Sequence, residues 1–299
     1  MYEYYQEFKD KEFVAAHLDQ LADIIDWHIK GTRFNIHLTQ EGFLSAGEDK
    51  AQLTWMDARV GEYVVTPRHG CPVEIQALWY NAVKIYQFFA AEVNRTDDNG
   101  TADACEQLYS QMEKNFPIHF INDDGYLNDV VLPDLKVDDS LRPNQIYVLS
   151  LPFSLLNKAQ EKKVFATVKK QLFTPYGLRT LNSDHPDFKP LYGGDQWHRD
   201  TAYHQGTVWP FLLGDYFLAM KKLEGNSTAY RKHLKETVEV LKKHFYEADC
   251  IHGISEIFDG KTPCEGRGTT HQAWSIAALL MVLLPRNDFN KPKSTKHKS

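Results

Sequence analysis

Apolar residues return at intervals of three and four along most of this chain, and that period limits what it can fold into. Val14, Leu18, Leu21 and Ile25 keep it within residues 2 to 29. Ile75, Leu78, Trp79, Ala82, Val83, Tyr86, Phe89, Ala90 and Val93 keep it over 73 to 94, and Cys105, Leu108, Met112 and Phe116 repeat it. Further runs cover 154 to 172, 206 to 223, a segment with Leu234, Val238, Leu241 and Phe245, and 271 to 285. The last is apolar nearly all round, which predicts a buried helix. Residues 121 to 153 read as irregular, with extended pieces at 126 to 132 and 146 to 151, and Asp97 to Gly100 reads as a turn. About seven or eight helices result, interrupted by three long polar loops at 32 to 72, 173 to 204 and 249 to 270. No hydrophobic strand run alternates with the helices. The pattern therefore predicts an all-α helical toroid with its functional loops at one end, and argues against a parallel α/β fold.

The 299 residues suffice for one large domain or two ordinary ones, and 42% hydrophobic content can close a core. Forty acidic against 34 basic residues give a formal charge of −6. No basic run is interleaved with aromatics, so a nucleic-acid partner is not expected. Cys71, Cys105, Cys250 and Cys264 lie far apart with no C-x-x-C pair, which indicates neither a zinc site nor a disulfide framework. The longest apolar run, Ala277 to Leu284, is too short to span a bilayer, and the N-terminus carries no secretory core. These features predict a cytoplasmic protein without a membrane partner. Residues 286 to 299, basic and poor in apolar groups, read as a disordered tail.

The loops carry the chemistry. In LTWMDARVGEYVVTPRHGCPVEIQALW, Trp55 and Asp57 precede a helix start punctuated by Pro67, Gly70 and Pro72. A tryptophan ring stacks on sugar C–H faces and a carboxyl moves protons, although a cap aspartate and a core tryptophan would read the same way. The second loop gathers Asp195, Trp197, His198, Arg199, Asp200, Tyr203, His204, Gln205 and Trp209. Such a mixture suits a polyhydroxylated ligand, whose hydroxyls need directed partners; local surface pairing and a buried helix start are the alternative. His198 and His204 fit no metal-ligand pattern. In the third loop, Glu256 of SEIFDG is flanked by Ile254, Ile257 and Phe258, while Asp259-Gly260 reads as a turn. Asp57 and Glu256 together would supply the two carboxyl groups of glycoside hydrolysis.

LTWMDARVGEYVVTPRHGCPVEIQALWYNAV, YGLRTLNSDHPDFKPLYGGDQWHRDTAYHQGTVWP and GISEIFDG followed by QAWSIA resemble, in order, the signatures of the glycogen debranching enzyme C-terminal domain, the amylo-α-1,6-glucosidase. The resemblance covers residues 1 to 285. It implies an (α/α)6 toroid related to glucoamylase, and hydrolysis with inversion of the α-1,6-linked glucose stub on glycogen or limit dextrin. It places the general acid on Asp57 and the general base on Glu256, which inversion would set roughly 6.5–9.5 Å apart. Trp55, Arg68, Glu74, Gln76, Asp195, Trp197, Arg199, Tyr203, His204, Gln205 and Trp209 fall on motif positions expected to line the sugar subsites. Neither metal nor cofactor is implied, since two carboxyl groups and a water suffice.

The chain departs from the family in one respect, because twelve helices close such a ring and fewer are read here. The expected toroid is incomplete on its N-terminal side, which leaves two alternatives: a part of a longer enzyme, or a chain whose ring a second polypeptide completes. A glucan-binding but catalytically silent fragment, or a toroid glycosidase acting on trehalose or maltooligosaccharides, are the competing functional expectations.

Overall fold

Asp10 divides the first helical run in two. The computed structural model describes residues 1–48, 50–95, 100–250 and 252–283. Helix α1 (Tyr2–Phe8) ends at Lys9 in the left-handed region, and α2 (Lys11–Lys30) starts where the Asp10 carboxylate accepts the Phe13 N–H. Val14, Leu18, Ala22 and Ile25 form the buried stripe of α2.

Helix α3 (Val73–Glu92) begins directly after Pro72 and buries Val73, Ala77, Tyr80, Val83, Tyr86, Phe89 and Ala90, together with Glu74, Gln76 and Asn81. Helix α4 (Thr101–Phe120) packs Cys105, Leu108, Met112, Phe116 and Phe120 against it. The turn predicted at Asp97 to Gly100 lies outside the described residues, apart from Gly100.

The piece predicted as extended at 146 to 151 is instead helix α5 (Ile146–Ser150), entered through a 3₁₀ turn at Pro143–Gln145. Its apolar content fits a short buried helix as well as a buried strand, and period alone cannot separate them. Helix α6 (Lys158–Gln171) starts four residues later than the predicted run. There the Asn157 side chain caps Ala159 and Gln160, and the Gln160 side chain closes the capping box.

Helix α7 (Gln196–Ala202) lies inside the second loop, capped by Asp195. The helix predicted from 206 begins only at Leu213 as α8 (Leu213–Glu224), and Ser227 caps α9 (Thr228–Glu247). Helix α10 (Ala273–Leu283) corrects the expectation of burial. Among its residues Ser275 and Ala278 are buried, whereas Trp274, Leu280, Met281 and Leu283 stand exposed. An apolar sequence buries only where a neighbouring element covers it: Trp274 stacks on Phe211, whereas Leu280 and Leu283 have no such cover among the described residues. The predicted tail from Arg286 falls outside them.

Short antiparallel strands tie the loops together. The first loop holds β1 (His37–Leu38) paired with β2 (Leu44–Ser45), and β3 (Arg59–Val60) paired with β4 (Tyr63–Val64). β5 (Cys71–Pro72) pairs with β6 (Val130–Val131), and β6 with β7 (Val137–Asp138). A five-stranded sheet joins β8 (Phe173–Thr174), β9 (Gly177–Arg179), β10 (Val208–Trp209), β11 (Ile257–Phe258) and β12 (Gly266–Arg267), with each strand beside the next. Segments far apart in sequence thus meet at one end of the helices.

Ten α-helices are present among the described residues. α3, α5, α8 and α10 contact one another in succession, while α2 and α4 flank α3, α6 packs on α5 and α8, and α9 packs on α8. Inner helices backed by outer ones make a helix-rich arc, and the core lies between its two layers.

Candidate active site

Register in the five-stranded sheet sets Glu256. Val208 opposes Phe258 and also Arg179, so the second and third loops share backbone ladders on either side of β10. Glu256 precedes β11 and is buried. Its Oε2 accepts from the Thr269 N–H at 2.9 Å and the Thr269 hydroxyl at 3.2 Å, and its Oε1 from Gln272 Nε2 at 2.8 Å. The backbone N–H of Glu256 donates to the Thr269 carbonyl at 3.0 Å, so both ends of the residue are tied to one turn. A carboxylate with several fixed donors has one orientation, as a group that must aim a water requires.

The Tyr203 hydroxyl is influenced by both carboxyl groups singled out from the sequence. It is pushed above the usual phenol range by burial first, then by its hydrogen bond to Glu256, and further by the charges of Glu256, Tyr192 and Asp57. The phenol therefore feels both Glu256 and Asp57. Asp57 is exposed at the tip of the first loop, between buried Met56 and Ala58.

The loop that carries Asp57 rests on a buried polar network. Trp55 Nε1 donates to Asn144 Oδ1 at 2.8 Å, and Asn144 Nδ2 donates to Asp129 Oδ1 at 2.7 Å. Asp129 also receives Arg68 through Nε at 2.7 Å and Nη2 at 3.0 Å. The same guanidinium forks onto Glu74, with Nη2 2.6 Å from Oε2. Pairing of β5 with β6 brings Asp129 to this position, since Val73 N–H donates to the Asp129 carbonyl at 2.9 Å. On the other side of Asp57, the Ala58 N–H donates to His204 Nδ1 at 3.4 Å. Burial, then the charges of Arg142 and Arg68, push His204 down to about 3. Its ring is thus neutral and can accept.

The residues expected to line sugar subsites divide into two groups. Trp55, Asp195, Trp197, Arg199 and Tyr203 are exposed or partly so. Arg68, Glu74, Gln76, His204, Gln205 and Trp209 are buried beneath the loops, and all but His204, whose Nε2 has no partner among the described residues, spend their side-chain polar atoms on the protein. Gln76 pairs with both the N–H and the carbonyl of Leu44, and Gln205 bridges Arg142 Nη2 to the Val65 carbonyl. The Trp209 ring stacks on His204 and meets Trp55 and Trp274 edge-on. Buried groups already bonded to protein have little left for a sugar hydroxyl, which leaves the His204 Nε2 as the unspent polar atom of the six. Asp195 caps α7 and holds the His198 ring, and both are exposed. That contact, with the His198 N–H contributing most, holds the Asp195 carboxyl below its ordinary range.

Reading of the residues missed Asp129, Arg142, Asn144 and Thr269. Gln272 stood in the recognised QAWSIA stretch but carried no expected role. Among the described residues no cluster of three or more His, Cys, Asp or Glu could hold a metal ion, and no helix is long and apolar enough to cross a membrane.

The sequence model of one family, amylo-alpha-1,6-glucosidase, matches residues 1–281. The chain belongs to the amylo-alpha-1,6-glucosidase family. Among curated relatives, the glycogen debranching enzyme of Saccharomyces cerevisiae is 26% identical over 308 residues, covering 84% of this chain and 20% of the yeast protein. Two solved structures share the fold. A GH63 mannosylglycerate hydrolase from Thermus thermophilus has a TM-score of 0.52 at 14% identity, over 71% of this chain and 47% of that one. A GH78 rhamnosidase of a Bacillus species has a TM-score of 0.56 at 13% identity, over 93% of this chain and 24% of that one. The chain spans about a fifth of the length of the yeast relative and less than half of either structure.

Proposed function

We propose that this chain is a glycoside hydrolase that removes α-1,6-linked glucose from glycogen or limit dextrin with inversion, with Asp57 as general acid and Glu256 as general base. The observation that carries the reading is Glu256, a buried carboxylate held in one orientation by Thr269 and Gln272. Membership of the amylo-alpha-1,6-glucosidase family supports the linkage. In this reading the acid protonates the glycosidic oxygen while the base takes a proton from a water attacking the opposite face of the sugar. Thr269 and Gln272 hold the base in orientation, and Asn144 and His204 hold the acid loop on either side of Asp57. We place the protein in the cytoplasm, a reading supported by Cys71, Cys250 and Cys264, none of which is in a disulfide.

Proton NMR of the purified chain with a maltooligosaccharide bearing one α-1,6-linked glucose tests the assignment. β-Glucose is expected first, and neither Asp57→Asn nor Glu256→Gln should release glucose while keeping the wild-type circular dichroism. Full activity in either variant sinks the assignment of roles, and preference for trehalose or linear maltooligosaccharides would replace the substrate. A second reading is favoured by the exposed apolar face of α10: the chain binds glucan and turns it over only when a further polypeptide completes an (α/α)6 ring over that face. Glucose release by the isolated chain would exclude it.

A further inference from the structure

Two exposed aromatic rings from different loops meet beside the candidate site. Tyr63 opens β4, at the end of a hairpin whose first strand starts two residues after Asp57. Trp197 lies on α7, in the segment that leads to Tyr203. Their centroids are 5.3 Å apart at 36°, although Tyr63 is 50% and Trp197 48% exposed. Water gains nothing from such a pair, and each ring still offers about half its surface to a ligand.

Trp197, the partner of Tyr63, lines a cleft of about 700 Å³ together with Lys189, Leu191, Tyr192, His198 and Arg267. Leu191 adds a further exposed apolar surface. The cleft runs toward the proposed chemistry, because the Tyr192 ring lies 5.5 Å from that of Tyr203. Two of the cleft's three basic side chains are paired within the protein, Lys189 being the third. Arg267 is paired with Asp259 and Glu265, and His198 with Asp195. Arg199, beside it, donates to the Gly194 carbonyl at 2.6 Å. Exposed ring faces beside a mostly paired polar rim suit an extended ligand with alternating C–H faces and hydroxyls.

We propose that Tyr63 and Trp197 form a stacking platform for an α-glucan chain, holding several glucose units outside the position of the cleaved bond and so selecting oligosaccharides over a disaccharide. This rests on the α-glucan reading of the site. Isothermal titration of the full chain with maltoheptaose and with glucose tests it, using Tyr63→Ala, Trp197→Ala and the conservative Tyr63→Phe. Each alanine variant should weaken maltoheptaose binding about tenfold, the scale of one aromatic contact, with glucose binding unaltered and Tyr63→Phe near wild type. Wild-type affinity in both alanine variants, equal losses for glucose and maltoheptaose, or no maltoheptaose binding by the wild-type chain would each overturn the platform. The NMR assay is read separately. Platform-dependent binding without α-1,6 cleavage leaves the platform standing and removes the proposed reaction, whereas cleavage with unchanged binding in the variants does the reverse.

Discussion

His204 supports the backbone next to Asp57 only while its ring is neutral. Its folded-state pKa is about 3 against an ordinary 6.5, so below pH 6.5 the unfolded chain binds a proton that the folded chain refuses. Stability from this group is thus fully present above about pH 6.5 and is lost as the pH falls toward 3, with a limiting slope of about 1.4 kcal/mol per pH unit. His204→Gln keeps an acceptor for the Ala58 N–H but cannot titrate. Thermal unfolding followed from pH 7 to pH 4.5 should show a smaller fall in Tm for the variant than for the wild type; parallel curves would refute a titrating role. At this scale the sequence disclosed identities more readily than duties. Glu256 and Asp57 stand out in the sequence because a carboxyl in an aromatic loop is unusual and its motif recognisable. Arg68, Glu74 and Gln76 looked like sugar contacts because polar residues at motif positions carry no mark of burial. What occupies Arg68 and Glu74 is the network with Asp129, brought in by the β5–β6 pairing some sixty residues away, and what occupies Gln76 is the Leu44 backbone.

Local signals located helices well where capping and period agreed, and poorly where an element is defined by its partner. The Asp10 and Asn157 caps are visible in sequence and account for the shifted starts of α2 and α6. Two-residue strands leave no alternation to detect, so the five-stranded sheet that unites the loops was illegible. A single glycine shows what that sheet does for the site. Gly268, just after β12, has φ +73°, and an added Cβ would overlap the Oε2 of Glu256. Gly268→Ala therefore forces both a left-handed alanine and displacement of the carboxylate held by Thr269. We expect kcat for α-1,6 cleavage to fall by about a hundredfold, since misplacement of about 1 Å can cost that much, with KM and the far-ultraviolet circular dichroism little changed. Activity within twofold of wild type would mean that Glu256 is not the group whose position limits the reaction.

At the scale of the whole molecule, the open side of the arc is apolar. Leu280 and Leu283 project from α10, and Tyr246 from α9 stands exposed beside them. A groove of about 310 Å³ between these helices is lined by Val238, Leu241, Phe245, Ile276 and Leu279. The period predicted a buried helix at this place; the structure supplies the helix and leaves its outer face uncovered among the described residues. Soluble proteins seldom keep a contiguous apolar patch in water, and a chain studied alone has only copies of itself to cover one. The isolated protein should accordingly self-associate as its concentration rises, and Leu280→Gln with Leu283→Gln should weaken that association. Each leucine is worth about 1.5–3 kcal/mol when fully covered, so the pair of substitutions should raise the dissociation constant at least about tenfold. Sedimentation velocity over a range of concentrations measures this directly. A wild-type chain that stays monomeric throughout would show that α10 tolerates water as it stands, and would remove the observation favouring a ring completed by a further polypeptide.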